Sequence, residues 1–65
     1  MHIHDIFSVN LRQACKKFES ISEVARRVGI NRQQFNRYLS GENIPNKRTI
    51  GRLAKFLDID ESELF

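Results

Sequence analysis

Apolar residues in this chain recur at intervals of three and four and nowhere alternate one by one, so its segments read as helices and none reads as a strand. Phe7, Leu11, Ala14, Cys15 and Phe18 share one helical face and predict a first helix from about Asp5 to Phe18. Ile21, Val24, Ala25 and Val28 form a second, shorter stripe. Ser20 stands where its hydroxyl would cap that helix, with Glu23 three residues on to reach back in a capping box. Gly29 follows at a position where a left-handed residue ends a helix at little cost. Asn31, supported by Gln34, predicts the cap of a third helix that Gly41 closes, and residues 42–45 read as a loop. Asn46 predicts the cap of a fourth helix with Ile50, Leu53, Ala54 and Leu57 on its inner face. Asp60 and Glu63 predict a last capped turn that brings Leu64 and Phe65 inward. The expected fold is all-α, a compact bundle of about five short helices.

A chain of 65 residues makes one small domain, burying only about 60% of the surface its unfolded form exposes. Its core is too thin to surround a deep catalytic cleft, which favours a binding role over an enzymatic one. The one proline and two of the three glycines, Gly29 and Gly41, fall at helix boundaries, and no flexible linker divides residues 1–65. The single cysteine, Cys15, forms no internal disulfide and packs as a small apolar residue, so an oxidising compartment is not indicated. His2, His4 and Asp5 occupy the place of a signal peptide's charged and apolar regions, and no apolar run is long enough to span a bilayer. The expectation is a cytoplasmic protein without membrane contact.

Charge is unevenly distributed. All eleven lysines and arginines lie between Arg12 and Lys55, where the only acids are Glu19, Glu23 and Glu42, a local charge of +8. Asp58, Asp60, Glu61 and Glu63 follow with no base among them. A concentrated positive region fits a polyanion, nucleic acid above all, although any one of these charges alone reads as solvated surface.

The third helix carries the sharper signal. At about 100° per residue, Phe35, Tyr38 and Leu39 fall in one sector, the buried one. Gln33, Asn36, Arg37 and Ser40 fall in the opposite sector, with Arg32 and Gln34 at its flanks. A helix fits the major groove of duplex DNA. There arginine bonds guanine bidentately, and glutamine or asparagine does the same to adenine. Gln33 and Arg37, then Arg32 and Asn36, are therefore the candidates for base contact. The plain alternative is a hydrated helix face, which arginine and glutamine also favour.

The preceding residues decide between these. Ala25 and Gly29, the apolar Val24, Val28, Ile30 and Phe35, and a joint of three to four residues describe two helices crossing closely. With Tyr38, with Leu39, Ser40 and Gly41, with Pro45 and with the stripe ending in Leu53, Ala54, Phe56 and Leu57, they resemble the helix-turn-helix of the phage repressor and Cro-like family over roughly residues 20–65. The lead-in to the second helix is shorter than usual there, and Leu39 stands where a glutamate is common.

That resemblance implies a helix-turn-helix formed by helices two and three, with the third lying in the major groove of double-stranded DNA and its first turns on the bases. It places Arg32, Gln33 and Arg37 at base-contact positions, with Gln34 and Asn36 contributing to base or phosphate. It places Ser22, Asn46 and Lys47 against the DNA backbone at the starts of helices two and four, joined by Asn31 and Asn43 and, at the helix end, Ser40. Relatives commonly pair on two-fold sites, which makes a homodimer an expectation, with core closure as the competing role for Leu64 and Phe65. The chain's end on that apolar pair further suggests the N-terminal part of a longer regulator.

Other features carry less. His2 and His4 fall short of the three or four ligands zinc takes, and the acids after Asp58 lack the loop glycine and spacing of a calcium-binding loop. Cys15 has no histidine partner that would make it a nucleophile. No metal, cofactor or small-molecule ligand is implied. Two other functions compete. A helix-turn-helix used for protein contact, adaptor or antitoxin-like, would present an apolar third helix. Single-stranded nucleic-acid binding would need exposed aromatics, whereas Phe35, Tyr38 and Phe56 are expected in the core.

Overall fold

The computed structural model describes residues 2–65, all helix, turn and loop. Four α-helices follow one another: α1 over Ile3–Cys15, α2 over Ile21–Val28, α3 over Arg32–Ser40 and α4 over Lys47–Leu57. A 3₁₀ turn over Glu61–Leu64 comes last. The fifth element expected from the sequence is thus one 3₁₀ turn, and the α-helices number four. Four residues give too few hydrogen bonds for an α-helix, and the tighter turn suits so short a piece.

Each start is set by a side chain facing unpaired amides. The Ser20 hydroxyl accepts from the Glu23 amide at 3.1 Å, and the Asn46 side chain accepts from the Thr49 amide at 2.9 Å. Asp60 makes the full capping box: it accepts from the Ser62 amide, while the Glu63 carboxylate accepts from the Asp60 amide at 2.8 Å. Hydrogen bonds from the Ser62 backbone and side chain hold the Asp60 carboxyl below its usual range. The box expected at Ser20 is only half made, because the Glu23 carboxylate turns toward Arg26 and Arg27 instead. Asn31 accepts from Gln33, and Gln34 adds no reciprocal bond. At α1 the helix begins at Ile3 behind His2, which gives no side-chain cap. It ends at Cys15, earlier than Phe18.

Three helices stop in the same way. Gly29 and Gly41 take left-handed backbone angles, with φ of 84° and 85°, and Asp58 does so with φ of 58°. In each case the next amide turns back to a carbonyl of the last helical turn: Ile30 to Ala25, Glu42 to Arg37, Ile59 to Ala54. These are Schellman caps. Asp58 pays a steric cost there that a glycine would avoid.

The core is one cluster. Phe7, Leu11, Val24, Phe35, Leu53, Leu57 and Leu64 are fully buried, with Cys15, Ala25, Val28, Tyr38, Ile50 and Ala54 around them. α1 lies on α3 and on the 3₁₀ turn, and α2 on α3 and α4. Leu64 goes inward as expected. Phe65 does not: it is 46% exposed, laying its ring 5.4 Å from that of Phe7. Phe56 is also only half-buried, stacked on Phe18 at 5.1 Å between ring centres.

Candidate nucleic-acid interface

α2 and α3 are joined by Gly29, Ile30 and Asn31. Val24, Ala25, Val28, Phe35 and Tyr38 are buried between the helices and the rest of the core, and Leu39 packs at its edge. Those contacts fix which way α3 faces. With its apolar side inside, Arg32, Gln33, Asn36 and Arg37 are all exposed on one helix. Gln34, at the flank, is half-buried.

The other candidates separate into three settings. Asn31 is exposed, and its side-chain oxygen holds the Gln33 amide at 2.8 Å, leaving its own amide hydrogens for an external acceptor. Asn46 caps α4 in the same fashion, with Lys47 exposed beside it, and Asn43 is half-buried in the connecting loop. Ser22 is half-buried in the first turn of α2. Ser40 is exposed, but its hydroxyl faces the Arg37 carbonyl at 3.1 Å and the Glu42 carboxylate at 3.3 Å. That hydroxyl is engaged within the fold, beside a charge that repels phosphate.

The eleven bases also separate. Lys17 donates to the Leu57 carbonyl at 2.6 Å, Arg52 to the Val28 carbonyl at 2.5 Å, and Arg12 to the Ser8 carbonyl at 3.4 Å. Arg26 and Arg27 lie 3.8 Å and 3.7 Å from Glu23, and Arg27 also stands over the Phe56 ring. Among the described residues, Lys16, Arg32, Arg37, Lys47, Arg48 and Lys55 make no such contact. Four of these six belong to α3 and to the first turn of α4, and neither helix has an acid in its first turn. Helix starts without an acid keep their full attraction for an anion. Arg48, exposed behind Lys47, joins this group unanticipated; its place two residues after the Asn46 cap was the available signal.

Among the described residues no group of histidine, cysteine and acidic side chains is arranged to hold a metal ion, and no helix is long and apolar enough to cross a membrane. Cys15 is 2% exposed, and burial pushes its thiol up to about 11. Such a thiol is a poor nucleophile at neutral pH.

The family model described as Helix-turn-helix matches residues 20–64. Among solved structures, the chain is similar to the SOS-response transcriptional repressor LexA from Eubacterium rectale, at 34% identity and a TM-score of 0.88. That match covers 94% of this chain and 66% of the repressor chain, so the present sequence spans just under two thirds of its relative. No curated protein matches the chain.

Proposed function

Since this chain belongs to the helix-turn-helix family, of the repressor and Cro-like kind, we propose that it is a sequence-specific, double-stranded DNA-binding domain of a transcriptional regulator, acting by binding rather than catalysis. One observation carries the proposal: burial of Phe35 and Tyr38 leaves Arg32, Gln33, Asn36 and Arg37 together on the exposed side of α3. In the major groove, Arg37 and Arg32 would address guanine, and Gln33 and Asn36 adenine. Asn31, Gln34, Asn43, Asn46, Lys47 and Arg48 would hold the flanking phosphates, with Ser22 at the start of α2. Ser40 would take part only if Glu42 moved aside. Two copies on a two-fold site would place their α3 helices about 34 Å apart.

A salt titration of duplex binding tests the proposal. Four bases of α3 and α4 have no partner among the described residues, so the logarithm of affinity should fall with the logarithm of salt at a slope of about −3 to −4. A flat response would contradict DNA binding and point to protein contact through the same helix. The exposed side of α3 speaks against that use, because no large apolar residue stands on it.

A further inference from the structure

α2 ends at Val28, and the capping pattern behind it does not reach the Val28 carbonyl. The Gly29 and Ile30 amides turn back to Arg26 and Ala25, so neither serves the Val28 carbonyl. Arg52 does, crossing from the middle of α4 to donate from Nη2. The same nitrogen lies 2.9 Å from where a Cβ on Gly29 would stand. Gly29 is required by its φ of +84°, and a Cβ there would also push the flexible end of the Arg52 side chain away from its place. A cation at a helix C-terminus is also favoured by the helix dipole.

We infer that Arg52 is a positioning residue: by gripping the Val28 carbonyl beside Gly29, it fixes where α4 begins relative to the turn between α2 and α3, and its charge serves that end rather than phosphate. The inference rests on the DNA-binding reading. It adds that α3 and the start of α4 are held in one arrangement by a side chain that touches no nucleic acid. Arg52 stands five residues beyond Lys47, about 7.5 Å along the helix at 1.5 Å per residue, on the part of α4 that meets α2. Arg52 lines a shallow depression together with Arg27, Val28, Lys55 and Phe56.

The test measures binding of Arg52→Met, Gly29→Ala and the double variant to a mixed-sequence duplex of about two helical turns. Salt is varied, at a temperature where circular dichroism shows each variant folded, so that lost stability alone leaves affinity unchanged. Arg52→Met should weaken binding about tenfold while the salt slope keeps its wild-type value, because no phosphate contact has gone. Gly29→Ala should weaken binding as well. The double variant should lose less than the sum of the two single losses, since Gly29→Ala displaces the Arg52 guanidinium as well as straining the turn. Lys47→Ala is the control, and should reduce the slope by about 0.9.

A slope reduced by Arg52→Met as much as by Lys47→Ala would overturn the inference, placing Arg52 on phosphate. Unchanged affinity, or additive losses in the double variant, would overturn it too. A wild-type chain with no salt-dependent binding would defeat the DNA-binding reading itself, and this inference with it.

Discussion

α2 and α3 are neighbours of nearly equal length, each carrying two arginines, yet they deploy them differently. On α2, Glu23 stands within 4 Å of Arg26 and Arg27, and Arg27 rests over Phe56. On α3 no acid lies in the first turn, and Arg32 and Arg37 have no partner inside the described fold. The two helices resemble each other in composition and differ in whether the fold has already used their charge. A positive residue marks a binding surface when its own protein leaves it unanswered.

The largest effect expected comes from the inward side of α3. Phe35→Ala, emptying a fully buried site, should cost about 3–5 kcal/mol in urea unfolding, enough to unfold much of so small a domain. Survival at wild-type stability would break the link between burial on one side of α3 and exposure on the other. Next come the arginines themselves. Arg32→Ala and Arg37→Ala should each weaken binding to a preferred site by about 1–3 kcal/mol. Arg26→Ala and Arg27→Ala should each change it by less than about 0.5 kcal/mol, as titrations on one duplex would show. Equal losses from both helices would erase the distinction between them.

A pH series sharpens the comparison from below α3, where Cys15 and Leu39 border one shallow depression. The Cys15 thiol is raised from 9.0 to about 11 by burial. As pH climbs past the unfolded thiol's value, the unfolded chain ionises first while the folded one stays protonated. Stability from this group is therefore complete below pH 9 and declines between 9 and 11. Urea midpoints across that window should fall more for the wild type than for Cys15→Ala; parallel curves would show the thiol to be unburied. The smallest effect is at Asp58, whose φ of 58° is left-handed. Asp58→Gly should raise stability by roughly 0.5 kcal/mol, the steric relief being partly offset by glycine's extra freedom in the unfolded chain.

Much of this was legible in the sequence because it is local. Ser20, Asn31, Asn46 and Asp60 each cap the helix that the residue pattern assigned to them, and Gly29 and Gly41 close α2 and α3 where expected. The orientation of α3 was legible too, since Phe35 and Tyr38 lie one turn apart on a helix with few other apolar residues. What was misread depends on partners distant in the chain or on signals that are missing. α1 begins behind a residue with no cap, so nothing announced its start at Ile3. Phe18 kept the helical spacing but left the helix, to stack on Phe56 from a turn. Lys17 and Arg52 counted as free charge in the sequence, although each serves a carbonyl 40 or 24 residues away. No periodicity along the chain could have sorted these from Arg32 and Arg37.

Random-site selection, run in parallel on the wild-type chain and on Arg37→Ala, shows whether the exposed side of α3 reads bases. The wild type should select a defined site, and the variant the same site with preference lost at one base pair, most plainly a guanine. Selection of the same site by both chains, with every position equally preferred, would contradict base reading by Arg37.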